Sequence, residues 1–154
     1  MSLVIANYDP DWPRHAEREG AAVGAVKGVR CVEHVGSTAV PGLAARPTID
    51  LLVGADDPGA VPGDALGALG YREQVHPTGR AFWKGTRSFH TYELWVVRLD
   101  GPSWTRRLAL RDRLRADPAL AARYVRQKRA LSRDLAGDPA AYNAAKEALV
   151  DTLL

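Results

Sequence analysis

The sequence predicts an α+β (α/β) fold in which a small mixed β-sheet carries flanking helices and is followed by a C-terminal helical unit. Three observations carry that expectation. Residues 48–53, Thr-Ile-Asp-Leu-Leu-Val, form a short and nearly continuous apolar run, suited to a central strand covered on both faces. Further short strand-like runs lie around it, punctuated by Gly79 and Gly85. Beyond Pro102 the pattern is helical only.

Taken in order, Tyr-Asp-Pro-Asp-Trp at 8–12 reads as a turn that opens a helix over 13–27, with proline in its first turn and Gly28 just past its end. Residues 30–35 alternate as a strand does, with Cys31, Glu33 and Val35 on one side and Val32 and His34 on the other. The stretch 36–47 is rich in Gly, Pro and Ala and reads as a loop with room for one helical turn. A helix is expected over 58–69, stopped by Gly70, and strands over 71–75, 81–84 and 92–99. Helices are expected over 104–116, 118–135 and 139–154, with Asp117 and Asp138 as N-caps and a proline at the next position in each case.

The 154 residues suffice for one domain with a hydrophobic core of its own. The single cysteine, Cys31, cannot form an internal bridge and reads as a buried thiol in a reducing compartment. No stretch approaches the ~20 apolar residues of a membrane span. Residues 1–8 show no basic segment followed by a long apolar one, so we expect no secretory leader and a cytoplasmic protein. The net charge is +3, and the basic residues are concentrated over 106–133, a patch that favours an anionic partner. No aromatic-interleaved basic strand accompanies it, which argues against nucleic acid.

One segment could carry chemistry. A strand ending at Val35 leads into Gly36-Ser37-Thr38, and a second strand opens with Asp50. Glycine lets a backbone approach a bulky ligand, successive turn amides can cradle phosphate oxygens, and serine adds a hydroxyl. An acid on an apolar strand calls for a nearby cation or metal. The alternative is an ordinary loop in which Asp50 caps a turn or pairs with Arg46. His34 could order the turn, contact a phosphate or act as a general base. His76 and His90 fall in loop or strand-edge contexts without an evident partner, and His15 reads as solvent-facing.

Residues 34–53, HVGSTAVPGLAARPTIDLLV, resemble the signature of the GrpB-like family of the nucleotidyltransferase superfamily. The likeness extends to YDPDWP at 8–13, RDRLRADPALAARYVRQK at 111–128 and YNAAKEA at 142–148. The resemblance implies a nucleotidyltransferase-like fold, with Gly36, Ser37 and Thr38 as the phosphate turn and Asp50 as the first acid for Mg2+ or Mn2+. It implies a nucleoside triphosphate or another phosphorylated small molecule as ligand, and transfer of a nucleotidyl group to a hydroxyl or phosphate acceptor. Leu52 departs from the active superfamily pattern, which has a second acid there. Glu93 is the candidate later acid, as a metal ligand or as a plain strand acid, at a place where the family tends to carry histidine. Because GrpB-like domains also occur fused to dephospho-CoA kinase, the resemblance leaves open a non-catalytic nucleotide- or phosphate-binding module related to coenzyme A metabolism.

The helical tail adds basic candidates. At about 100° per residue, Lys128 falls inside the apolar stripe of Leu120, Tyr124, Leu131 and Leu135, and Lys146 inside that of Tyr142, Leu149 and Leu153. Arg126, Arg129 and Arg133 fall on the opposite side, which reads as solvent-facing. An inward lysine needs an anion, and superfamily members hold triphosphate from a following helical unit; snorkelling or an internal ion pair are the alternatives. Arg107, Arg111 and Arg115 form a basic ridge from which Arg111 could reach a ligand or brace Asp50. Arg46, in the signature loop, is a further ligand candidate. Trp12, Trp83, Trp95 and Trp104 are assigned to packing.

Overall fold

A computed structural model describes residues 5–76 and 79–154 of the chain; the first four residues of the opening segment lie outside it. The elements are α1 (Trp12–Gly24), β1 (Val29–Val35), β2 (Ile49–Ala55), α2 (Gly63–Ala68), β3 (Arg72–His76), β4 (Gly79–Gly85), β5 (His90–Arg98), α3 (Pro102–Ala116), α4 (Pro118–Asp134) and α5 (Pro139–Leu153). The strands form one mixed sheet in the order β1-β2-β5-β4-β3. Only the β2–β5 pair is parallel; the other neighbours run antiparallel. The apolar run of β2 thus lies inside the sheet, between β1 and β5, as its composition requires.

The two faces of β2 build two cores. Ile49, Leu51 and Val53 pack with Trp12, Ala16 and Val23 of α1 and with Phe82 and Leu94. Leu52 packs on the opposite face with Val35 and with Trp104 of α3. Gly54 lets α3 come close, because a Cβ there would meet the Trp104 ring at 2.8 Å. A third core joins Leu114, Leu120, Tyr124, Val125, Val150 and Leu153 of the helical unit to Val40 and Leu43 of the loop before β2. That loop ties α4 and α5 to the sheet. Among the described residues, no helix is long and apolar enough to cross a membrane.

The expected helix over 58–69 is corrected to a single 3-10 turn, Pro58–Ala60, followed by the short α2. Pro62 is the cause: it has no N–H to donate and holds Val61 extended, at ψ 121. Cys31 is half-buried rather than buried. Its flanking alternation is as read, with Val32 toward α1 and Val35 toward α3.

Candidate functional site

Three strands present one row of residues toward the helical unit. Val35 lies opposite Asp50 across β1 and β2, and Asp50 lies opposite Glu93 across β2 and β5. At the end of β1 the chain must turn away over Asp50. Gly36 does so at φ 77 and ψ −176, a region essentially reserved for glycine, and a Cβ there would collide with an Asp50 carboxylate oxygen. The 3-10 turn Ser37–Ala39 follows, closed by Ala39 N–H on the Gly36 carbonyl at 3.0 Å. The one helical turn expected in this loop is therefore present, and it puts Ser37 beside the acid.

Between this row and α3–α5 lies a cavity of about 570 Å³. Gly36, Ser37, Arg46, Asp50, Glu93, Arg111, Lys128 and Lys146 all line it. In all, seven cationic side chains and three carboxylates face it. Lys128 Nζ donates to Ser37 Oγ at 3.2 Å, which joins α4 directly to the turn. The two inward lysines sit over the rings of the tyrosines four residues before them, at 5.4 Å for Lys128 on Tyr124 and 5.9 Å for Lys146 on Tyr142.

Electrostatics follow from this enclosure. Burial, with Glu93 beside it, pushes the Asp50 carboxyl up to about 7, against the opposing pull of Lys128, Arg46 and Arg107. Burial, then the Lys146 charge, brings the Lys128 ammonium down to about 8, while Asp50 opposes that fall. Glu93, only 13% exposed, accepts from His90 Nδ1 at 2.9 Å and pairs with Arg46 at 3.5 Å. Burial also lowers the Arg107 guanidinium, while Asp50 and Glu147 favour its charge.

The structure moves several candidates out of the cavity. His34 points to the opposite face of the sheet, toward α1, where it lines a separate hollow with Arg115 and Leu51. There its Nε2 bonds Thr38 Oγ1 at 2.8 Å, and burial brings the imidazole down to about 4. His34 therefore orders the turn from behind and is not placed as a base for chemistry at Asp50. Thr38 is buried, with its hydroxyl on that histidine, so it does not open onto the cavity. Arg111 does not brace Asp50: it donates to Glu33 at 2.7 Å and to Asp112 at 2.9 Å. The ridge divides, since Arg107 and Arg111 face the cavity whereas Arg115 donates to the Ala39 carbonyl at 2.8 Å. His90 has a partner in Glu93 and stacks on Trp83, and His76 packs edge-on against Trp95.

Arg129 was assigned to solvent and instead lines the cavity, with a buried Nε that makes no hydrogen bond among the described residues. Its distance from the Tyr124 stripe hid it, although Val125, four residues earlier, is buried and marks the same helix face. Arg107, read in the sequence only as part of the basic ridge, also faces the cavity, as do Arg106 and Glu147, for which the sequence reading offered no role. Arg106 closes the rim by donating to Glu147 and Asp151 of α5, at 2.9 and 2.6 Å.

Fold and site define a mixed α+β protein whose sheet and helical unit enclose a basic cavity floored by two adjacent carboxylates. The family described as "GrpB protein" matches residues 2–154, and the chain belongs to that family. It is 36% identical to a UPF0157 protein of Pseudomonas aeruginosa, over 99% of this chain and 66% of the relative's length. It is 32% identical to a UPF0157 protein of Halalkalibacterium halodurans, covering 99% and 81% of the two chains. The crystal structure of the conserved protein GrpB from Enterococcus faecalis superposes with a TM-score of 0.78 at 28% identity, over 97% of this chain and 96% of that one. A dephospho-CoA kinase of Mycolicibacterium paratuberculosis is 32% identical over 90% of this chain and 42% of its own length.

Proposed function

We propose that the cavity binds a phosphorylated small molecule of the nucleoside triphosphate class. The observation that carries this reading is the convergence of Arg107, Lys128, Arg129 and Lys146 on the cavity, beside Arg106 and Arg111, whose charge is met by Glu147, Asp151, Glu33 and Asp112, with Lys128 on Ser37 at its focus. Cations enclosed by low-dielectric walls attract an anion far more strongly than the same charges on an open surface. Ser37 offers a hydroxyl, Lys128 and Lys146 offer ammonium groups from above, and Arg46 and Arg107 flank the acids. Thermal unfolding measured with nucleotides, with and without magnesium, tests it: a ligand at about 100 times its dissociation constant adds ~2.7 kcal/mol. The wild type should respond, and Ser37→Ala and Lys128→Met should respond less. A wild-type protein that no nucleoside triphosphate stabilises in magnesium buffer sinks the reading.

A second reading, metal-dependent nucleotidyl transfer, is favoured by one feature, the adjacency of Asp50 and Glu93. Among the described residues, no group of three His, Cys, Asp or Glu side chains could hold a metal. Leu52, in the second acid's place, is wholly buried in the α3-side core. Asp50 and Glu93 are too few for a pair of ions; one Mg2+ or Mn2+ held by them would need phosphate and water oxygens to complete its shell. Such an ion, when bound, would supply positive charge to phosphate oxygens. Asp50 would lose its proton to become a ligand, Arg46 would stay paired with Glu93, and Ser37 and Lys128 would orient the phosphate. Pyrophosphate release from a nucleoside triphosphate, abolished by Asp50→Asn, separates transfer from a binding module. A module with a coenzyme-A-related ligand is the alternative that the dephospho-CoA kinase likeness supports.

A further inference from the structure

The aromatic residues of the cavity are already engaged. Three aromatic rings line it, Trp95, Tyr124 and Tyr142, and each carries a cation over its face. Arg107 lies 4.4 Å from the Trp95 ring centroid, Lys128 5.4 Å from Tyr124 and Lys146 5.9 Å from Tyr142. Trp95 also receives the His76 ring edge-on at 4.8 Å, and Tyr124 is buried. A cation held by a ring quadrupole is oriented without being neutralised by a carboxylate, so its charge stays available to a ligand. Stacking a base requires a free ring face, and the paired reading of an adenine edge uses the amide of asparagine or glutamine. Here the ring faces hold cations, and no asparagine or glutamine is among the described residues that line the cavity.

Resting on the phosphate-binding reading above, we infer that this cavity recognises the oligophosphate chain of its ligand and is indifferent to the base. Arg107, Lys128 and Lys146 come from three different helices and converge on a single space above Asp50. That arrangement suits several anionic oxygens spread along a chain, as in a triphosphate, better than one compact anion. Arg129, with its buried and unpartnered Nε, adds a further donor on the α4 wall.

Titration calorimetry on the whole chain with sodium tripolyphosphate, ATP, CTP, adenosine and citrate tests the inference. Tripolyphosphate, ATP and CTP should bind within about threefold of one another, adenosine should give no signal, and citrate should be at least about tenfold weaker. Tyr142→Leu, which removes the ring beneath Lys146, should weaken tripolyphosphate and ATP by the same factor, about threefold to fivefold, and Tyr142→Phe should restore both. ATP binding without tripolyphosphate binding, a tenfold preference between ATP and CTP, or citrate as tight as tripolyphosphate would each overturn this inference and leave the nucleotide-binding proposal standing. Unchanged affinity in Tyr142→Leu would overturn the part assigned to the ring. Failure of every phosphate compound to bind overturns both.

Discussion

Asp50 and His34 sit one residue out of register on adjacent strands, and so on opposite faces of the sheet, where each is held in its uncharged form. For Asp50 the causes are burial and Glu93; for His34 they are burial and the charges of Arg115 and Arg111. Their effects on stability have opposite signs. Asp50 titrates near 3.8 when unfolded and about 7 when folded, so between those values the folded protein holds more protons and stability falls as pH rises. His34 titrates near 6.5 unfolded and about 4 folded, so over that window the unfolded chain holds more protons and stability falls as pH drops. The wild type should therefore show a shallow pH profile between 4 and 6.5. Asp50→Asn removes one of the two opposing effects, and its unfolding free energy relative to wild type should climb by on the order of 2 kcal/mol from pH 4 to pH 7. Urea denaturation at several pH values reads this directly; a difference between the two proteins that does not vary with pH refutes the raised carboxyl. The convergence of Gly36, Ser37 and Asp50 was half legible in the residues, which also allow an ordinary loop with Asp50 capping a turn or pairing with Arg46; the family resemblance supplied the rest. The place of His34 was half legible: strand alternation put it opposite Val35, yet proximity in sequence kept it among the candidates for chemistry.

The elements were read most accurately where a chemical marker ends them. Asp117 and Asp138 cap α4 and α5 as expected, accepting from Leu120 N–H at 3.1 Å and Ala141 N–H at 3.0 Å, each with proline following. Over 58–69 the stop at Gly70 is a marker of the helix end, but Pro62 breaks the segment before it into a 3-10 turn and the short α2. On α4, a stripe drawn through Leu120 and Tyr124 found Lys128 but left out Arg129, because the buried surface is wider than one row and also takes in Ala121 and Val125. These caps bear on the site, since α5 carries Tyr142 about one turn, and Lys146 just over two turns, past Asp138. Asp138→Ala should cost about 1 kcal/mol in denaturant unfolding, the typical value of a lost N-cap. Because the cap is exposed and does not line the cavity, nucleotide-induced stabilisation in that variant should stay close to wild type. A loss of several kcal/mol would mean that α5 depends on this one hydrogen bond for its docking.

At the scale of the whole molecule the cavity is the seam between two differently built parts. The sheet and α1 share a continuous apolar core, whereas α4 and α5 pack on α3 and on Val40 and Leu43 and meet the row of Val35, Asp50 and Glu93 only across the basic space. Cations on the helices repel one another across that space: Lys146 and Arg129 both depress Lys128. A polyanion placed there converts mutual repulsion into shared attraction, and it joins the helices to the turn at Ser37 through contacts that the apolar cores do not supply. Stabilisation by such a ligand should therefore reach every amide whose opening breaks the seam. At about 100 times the dissociation constant of a triphosphate, amides of α4 and α5 should gain hydrogen-exchange protection approaching ~2.7 kcal/mol, provided these helices open together with the site. Amides of β2 and β5 that exchange through global unfolding should gain the same increment, because that opening also destroys the site, whereas amides that open locally without disturbing the cavity should gain none. Exchange measured by mass spectrometry, with peptides from 118–153 followed beside peptides from 49–55 and 90–98, reads both kinds of opening. Protection that appears first in the strands and leaves the helices unchanged would place the ligand elsewhere on the protein, away from the seam.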